Sequence, residues 1–414
     1  MGRQLRRRHT LQLYLESARS STMDSAGGME TEALQSIESS KVQQMLQACA
    51  SGDLETISNL VAQHFLYARQ QDDATGKSPL MVASELGHPV VVQYLLEQGA
   101  PWNAVDRYGK CAGNYATDAE HWDIVNLLVD HGTRAEMILS SIQRANGGGG
   151  ESSMEVNSVV DGTQPVSHEP STKPNYLRQR LTFTDTSILD EERDAVMMEW
   201  ERPLMEIHAQ MITDNSLHKR VMNVGFGMGI IDTILQSYQP GLHVIVEAHP
   251  DVYAKMLREG WDKKPNTKIC FGRWQDVVPQ LVHEGVQLDG IFFDTYGEHF
   301  TDMEDFHTLV PQMLSKPNGV YSFFNGLAPD NLFFHGVACQ CVKLQLHQLG
   351  LETEFLPCEI QVSSKEWEGI RRRYWHDRDT YYLPRATWRP ELIDRKTIAT
   401  SDTAEGDSKR VRRA

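Results

Sequence analysis

The chain predicts an open α/β sheet, covered on both faces, behind an all-helical repeat array. Three observations carry that reading. Between residues 41 and 142 a 33-residue step recurs: Gly76-Lys77 returns as Gly109-Lys110, Ala83 as Ala116, His88 as His121 and Gly99 as Gly132. From about residue 176 onward, short apolar runs alternate with helix-like stretches. Within them, the apolar run Val221–Val224 enters a turn with glycine at 225, 227 and 229, and Ile230, Ile231, Ile234 and Leu235 follow at helical spacing. Glycines between a strand and a helix let the backbone approach a ligand where a Cβ would collide.

The elements follow in order. Residues 1–40 mix basic residues with Ser, Gly and Thr without a period, and we expect them to be disordered. Residues 41–142 carry the step, which is the ankyrin period. Ser78-Pro79-Leu80-Met81-Val82-Ala83 resembles the ankyrin Thr-Pro-Leu-His-x-Ala signature with two substitutions, and Ala50-Ser51-Gly52-Asp53-Leu54 reads as a degenerate first repeat. Stacked repeats need roughly three copies for stability, so a stack this short is expected to lean on another domain. Residues 143–175, with Gly147–Gly150 and many serines, read as a flexible linker. Residues 176–392 hold the sheet. Its expected strands are Val221–Val224, His243–Glu247, Lys268–Phe271, Gly290–Phe293 and Gly319–Phe324, with Glu352–Val362 and Thr380–Leu383 as closing strands. Helices are expected at Ile230–Tyr238, Pro250–Gly260, Trp274–Glu284 and Met303–Leu314. Residues 393–414 are polar and expected to be disordered.

Bulk properties narrow the function. No apolar run approaches the 18 or so residues of a membrane span, and the basic start, Met1 to Arg8, has no apolar core after it as a secretory signal would. The six cysteines are scattered, with no CxxC, and no HExxH occurs. Reduced thiols and no metal are expected. The chain carries a net charge of −16, yet eight basic residues cluster at its two ends: Arg3, Arg6, Arg7, Arg8, Lys409, Arg410, Arg412 and Arg413. The body is therefore more acidic than the whole. That disfavours nucleic acid as a partner and would steer a basic protein inward; it would equally serve solubility alone. The basic tail reads either as a nuclear address or as a solvated end, and residence in cytoplasm and nucleus is the expectation.

The spacing of the glycine turn helps to choose a ligand. A dinucleotide fingerprint needs glycine at 230, where Ile230 stands. G-x-G-x-G instead resembles the first motif of the S-adenosylmethionine-dependent methyltransferases, whose domain is Rossmann-like. Ligands of open α/β sheets sit at the carboxyl ends of the strands. Glu247 ends the second strand, where a carboxylate can accept both ribose hydroxyls. Trp274 and Gln275 follow the third strand; an aromatic face and an amide suit adenine, and they equally suit an ordinary helix start. Asp294 ends the fourth strand, at the ligand crevice or as an N-cap. Glu201 precedes the first strand on an amphipathic helix, where periodicity alone makes it a surface carboxylate.

Four motifs then agree in order. Trp200-Glu201-x-Pro203, Val224-Gly-Phe-Gly-Met228, Trp274-x-Asp276-Val277 and Asp294-Thr-Tyr296 together resemble guanidinoacetate methyltransferase over residues 176–325. With the ankyrin-like stack ahead and the Lys365–Trp375 block behind, the whole chain resembles the fungal protein arginine N5-methyltransferases. That resemblance implies S-adenosylmethionine as cofactor and protein arginine, in a ribosomal protein, as substrate. Gly225, Phe226, Gly227, Met228, Gly229 and Ile230 would cradle the methionine part, Glu247, Ala248 and His249 the ribose, and Trp274 and Gln275 the adenine. Tyr176 and Met205 would close over the cofactor, which Asp294 would also touch. Glu201 and Asp294 would grip the guanidino group as catalytic residues. A monomer without membrane contact, with the ankyrin repeats binding protein, is the matching expectation. Many methyltransferases have an acid where Asn223 stands, so the cofactor's ammonium would meet an amide here. The double-Glu and Thr-His-Trp loops of enzymes that methylate terminal arginine nitrogens are missing from the sequence. Two rivals stay open: a methyltransferase of a small guanidino compound, and a non-catalytic adaptor.

Overall fold

The computed structural model describes residues 40–145, 173, 175–375 and 379–393. The expected disordered ends and most of the expected linker lie outside the described residues. The chain divides into two compact units, Met1–Ile124 and Val125–Ala414.

The first unit is all-helical: α1 (40–51), α2 (Leu54–Gln63), α3 (Pro79–Glu85), α4 (Pro89–Glu97), α5 (Ala112–Asp118) and the start of α6 (Trp122–Ala145). Proline opens α3 and α4 because its fixed φ suits a first helical position and its missing N–H leaves no orphan donor there. The Ser78 side chain caps α3 by accepting from Met81 N at 3.2 Å. The repeated histidines have a physical reason. His88 Nε2 lies 3.0 Å from Ala50 O of the preceding repeat, and its ring fills the space where a Cβ on Gly52 would sit. His121 stands in the same relation to Gly87, whose φ is +74°. Sequence periodicity thus reports histidines packed on the glycines of the previous repeat. Helix α6 runs three residues past the expected boundary at 142.

The second unit begins with a small antiparallel sheet, β1 (Thr182–Phe183), β2 (Ser187–Leu189) and β3 (Ala195–Met198). Then follow α7 (Arg202–Thr213), β4 (Arg220–Val224), α8 (Ile230–Ser237), β5 (Leu242–Glu247), α9 (Pro250–Arg258), β6 (Thr267–Phe271), α10 (Trp274–His283), β7 (Gly290–Phe293), α11 (Phe300–Met313), β8 (Val320–Phe323), α12 (Leu332–Gln348), β9 (Leu351–Glu359) and β10 (Thr380–Trp388). The seven-stranded sheet has the order β6-β5-β4-β7-β8-β10-β9, with β10 antiparallel to both of its neighbours. The Rossmann-like expectation holds, and strand order reverses direction between β4 and β7, where such sheets open a ligand crevice.

Three elements differ from expectation. The small sheet was not foreseen, since its strands are two to four residues long and carry no alternation to read. Helix α12 was missed because it is apolar nearly all round. Phe333, Phe334, Val337, Ala338, Cys339, Cys341, Val342 and Leu346 are all buried, so no stripe marks it. Glu201 stands in a single 3-10 turn, Glu199–Glu201, one residue before α7 rather than on an exposed helical face. That turn buries it, whereas helix periodicity would have exposed it.

Gly87→Ala should destabilise the repeat unit by about 1–3 kcal/mol, through left-handed strain and collision with His121. Chemical denaturation of the full chain, followed by helical circular dichroism, checks it; an unchanged midpoint would refute the packing account.

Candidate active site

The glycine turn is built by backbone closeness. Parallel pairing sets Val224 beside Phe293, so the next residues, Gly225 and Asp294, also run side by side. A Cβ on Gly225 would lie 1.8 Å from Asp294 O, and its φ is +98°. A Cβ on Gly227 would lie 2.5 Å from the sulfur of Met197. Gly229, at φ +75°, is the N-cap of α8. The turn encloses one end of a cavity of about 380 Å³ lined by Gly225, Gly227, Glu247, Ala248, Trp274, Asp294, Tyr176 and Met197, among others.

The other predicted turn residues shape the cradle without lining it. Phe226 turns its ring into the core, 5.0 Å from Trp261, and gives only its N–H to the site, donating to Glu247 Oε2 at 3.0 Å. Ile230 is core, and Met228 packs on the same cluster through its partly buried side chain. Met205 is fully buried in that cluster and does not face the cavity. Met197, from β3, takes the place expected of it. Asn223 braces the turn from below, and its Oδ1 is buried with no partner among the described residues. Its Nδ2 donates to Gly225 O and Asp232 Oδ2, both at 2.8 Å, and the residue is fully buried. Its amide nitrogen therefore ties down the turn, while the oxygen keeps its acceptor capacity. Asp232 in turn takes a bond from His243 Nε2 at 2.9 Å.

Glu247 is buried, and burial pushes its pKa up to about 7 against the opposing pull of backbone N–H groups. His249 N donates to Oε1 at 2.6 Å and Phe226 N to Oε2. Each oxygen keeps a lone pair, as a diol ligand requires. His249 sits behind this carboxylate. Its Nδ1 accepts from Asp251 N at 3.1 Å, so its hydrogen is on Nε2 and is donated to Tyr176 O at 3.1 Å. Tyr176 is thereby fixed over the cavity, with its ring 4.7 Å from His249 and 4.9 Å from Tyr296. Trp274 Nε1 and Gln275 Nε2 both donate to Glu298 at 3.0 Å. Gln275 Oε1 is buried with no partner among the described residues. An orphan acceptor beside an indole is what an aminopurine edge would satisfy.

Two carboxylates complete the site. Asp294 is half-buried, lines the cavity, and its side chain has no hydrogen-bond or ion-pair partner among the described residues. Glu201 is buried; its Oε1 accepts from Met198 N at 2.9 Å and from the Tyr374 hydroxyl, while Oε2 makes no hydrogen bond among the described residues. Burial raises both pKa values, and the charge of Asp294 raises that of Glu201 further. Such a pair is unstable in its doubly ionised form until a cation sits between its oxygens. Of the cations near the site, Lys173 binds Asp190 and Asp194 at 2.6 and 2.7 Å and Arg371 binds Asp194 and Glu192, while Arg273 lines the cavity.

Comparison with known proteins fits this geometry. The profile of the guanidinoacetate N-methyltransferase family matches residues 179–335, and an ankyrin-repeat profile of three copies matches residues 45–137. Protein arginine N-methyltransferase 2 of Aspergillus oryzae is 31% identical, over 83% of this chain and 95% of its own length. The proteins of that name from Yarrowia lipolytica and Saccharomyces cerevisiae are 31% and 33% identical, covering 85% and 72% of this chain and 88% and 77% of theirs. The chain belongs to the protein arginine N-methyltransferase 2 family. The guanidinoacetate methyltransferase match ends before Tyr374, which supplies a hydroxyl to Glu201 all the same. Tyr374, Met197 and Glu298 are the site residues that sequence reasoning missed. Only the Lys365–Trp375 block, noted for its resemblance, could have pointed to the first of them.

The raised carboxylates set a sign. Their folded pKa values lie above the unfolded ones, so they favour the fold at acid pH and lose that contribution as pH rises through the raised values. The ligand-free protein should melt at lower temperature as pH climbs from the ordinary carboxylate range through neutrality. Asp294→Asn should flatten that slope in calorimetric scans; an equally steep slope in the variant would remove the pair as its source.

Proposed function

We propose that the protein is an S-adenosylmethionine-dependent protein arginine N5-methyltransferase. The observation that carries this reading is the carboxylate pair, Glu201 and Asp294, which has no ion-pair partner among the described residues and stands beside a glycine cradle. The family supports the methyl-transfer chemistry, and the cradle, the diol-binding Glu247 and the orphan amide of Gln275 fit the cofactor. Gly225, Gly227, Glu247, Trp274 and Gln275 would hold it. When bound, it supplies an electrophilic methyl group.

The chain's own residues do the rest. A guanidinium keeps its proton at neutral pH, with a pKa above about 12, and its lone pairs are delocalised. Two ionised carboxylates can bind the terminal N–H groups through paired, charge-assisted hydrogen bonds and hold the plane. Asp294, on the cavity wall, then directs Nδ toward the crevice, so that orientation supplies most of the barrier reduction. Transfer would exchange the methyl group's C–S bond for a C–N bond and release a neutral thioether; the Nδ proton leaves, so the product remains a guanidinium cation. Asp294, its basicity raised by burial, accepts that proton. Because both acids must be ionised to hold the cation, substrate binding weakens as pH falls below their raised values.

An arginine held in protein, rather than a small guanidino compound, is supported by the ankyrin unit, the acidic body and the family. A basic protein of the ribosomal kind suits that charge. The domain match to guanidinoacetate N-methyltransferase favours the alternative, a small guanidino substrate. Incubating the protein with cell extract and isotope-labelled S-adenosylmethionine distinguishes them by mass spectrometry. Label on Nδ of protein arginine is expected. Label on terminal nitrogens, or on a small guanidino molecule alone, overturns the reading.

Glu201→Gln and Asp294→Asn should each lower kcat/KM by about 100- to 1,000-fold, with Glu201→Gln leaving cofactor affinity intact by calorimetry. Full activity in either variant would remove that residue from the mechanism.

A further inference from the structure

The connection from β9 to β10 runs through residues 360–379, beyond the matched methyltransferase profile. Among its described residues, Tyr374 reaches the site. The Tyr374 hydroxyl donates to Glu201 Oε1, the same oxygen that accepts Met198 N at 2.9 Å. With both donors on Oε1, Oε2 is left for a ligand. The ring is held independently of that bond. It packs 5.9 Å from Trp200 and edge-on to Trp367 at 5.0 Å, in a cluster that includes Trp375. The connection itself is clamped to the turn between β2 and β3. Arg371 pairs with Asp194 and Glu192, and Arg193 Nη2 donates to Gly369 O at 2.8 Å.

We propose that Tyr374 is a positioning residue for the methyl transfer, orienting Glu201 and holding it ionised so that Oε2 faces the guanidino group. The inference rests on the arginine reading above for its catalytic consequence, though not for the effect on Glu201 itself. A hydroxyl that donates to a carboxylate favours its charged form. This matters here because burial and the charge of Asp294 both oppose ionisation of Glu201. The titratable groups that face Glu201 are Asp294 from the turn after β7, Tyr374 from the connection, and Tyr381 from β10. The first opposes ionisation, and Tyr374 supplies the hydroxyl that counters it. Tyr381 is committed elsewhere, accepting from Asn325 N at 2.7 Å and lying 2.9 Å from His208 Nε2.

Tyr374→Phe keeps the ring and removes the hydroxyl. Carboxyl-carbon NMR titration of the full chain, without substrate, should show the Glu201 midpoint raised by roughly one unit. An unmoved midpoint overturns the proposal whatever the activity. In methylation assays the variant should raise KM for the arginine substrate or lower kcat by about tenfold. The acid limb of its kcat/KM profile should move to higher pH, while cofactor affinity stays unchanged. In a Glu201→Gln background the same change should have no further effect, since a residue acting through Glu201 has nothing left to act on. Additive losses in that double variant would mean Tyr374 acts by another route. A raised Glu201 midpoint in Tyr374→Phe, together with a wild-type protein that labels no protein arginine, would sink the arginine reading and leave the positioning of Glu201 standing.

Discussion

The site depends on one close approach, the backbone after β4 running against the backbone after β7. The carbonyl of Asp294 occupies the volume that any side chain on Gly225 would need. That contact places the glycine cradle and the Asp294 carboxylate at the same point of the sheet. Neighbouring parallel strands end together there, because pairing of Val224 with Phe293 fixes where each chain leaves the sheet. A larger residue at 225 would separate the two strand ends and the two halves of the chemistry with them. Asn223 reinforces the approach from below by tethering Gly225 O, and Asp232 and His243 extend that tether into the core.

Charge distribution follows the same division. Acids in the turn between β2 and β3 are neutralised, whereas Glu201 and Asp294 have no ion-pair partner among the described residues. Asp190, Glu192 and Asp194 share Lys173 and Arg371. Glu201 receives two neutral donors on one oxygen, and Asp294 receives none among the described residues. A desolvated carboxylate pair in that condition suits a planar cation, because a guanidinium can satisfy both acids through its fixed fork of donors. The acidic hairpin turn also joins two arms. Lys173 and Tyr176 both line the cavity, and Arg371 stands shortly before Tyr374, which reaches Glu201.

Beneath the substrate-facing side lies a buried polar chain whose hydrogens can be assigned. Ser322 Oγ donates to Pro384 O at 2.5 Å, so it accepts from His208 Nδ1 at 2.8 Å. His208 is fully buried, and burial lowers its pKa to about 3, which leaves Nε2 as an acceptor for the Tyr381 hydroxyl. Tyr381 then accepts from Asn325 N. This chain pins α7, β8, β10 and the turn after β8 to one another, and α7 begins directly after Glu201. A satisfied buried network of this kind specifies one arrangement of the elements it joins.

Much of the architecture was legible in order along the chain. The 33-residue step, the glycine turn and the apolar strand cores are local patterns, and local patterns survive in a linear reading. Glu247 and Asp294 were legible too, because strand ends in an open sheet are predictable places for ligand-facing groups. What the tertiary structure alone decided is which side chains those places meet. Met197 instead of Met205 lines the cavity, Asn223 braces the turn, and Tyr374 reaches Glu201 across 173 residues of sequence. Periodicity carries no information about such partners, since they come from separate elements brought together by packing. By itself the sequence determined the elements, their order and the acids at their ends; the fold decided which acids are neutralised and which remain free to bind a cation.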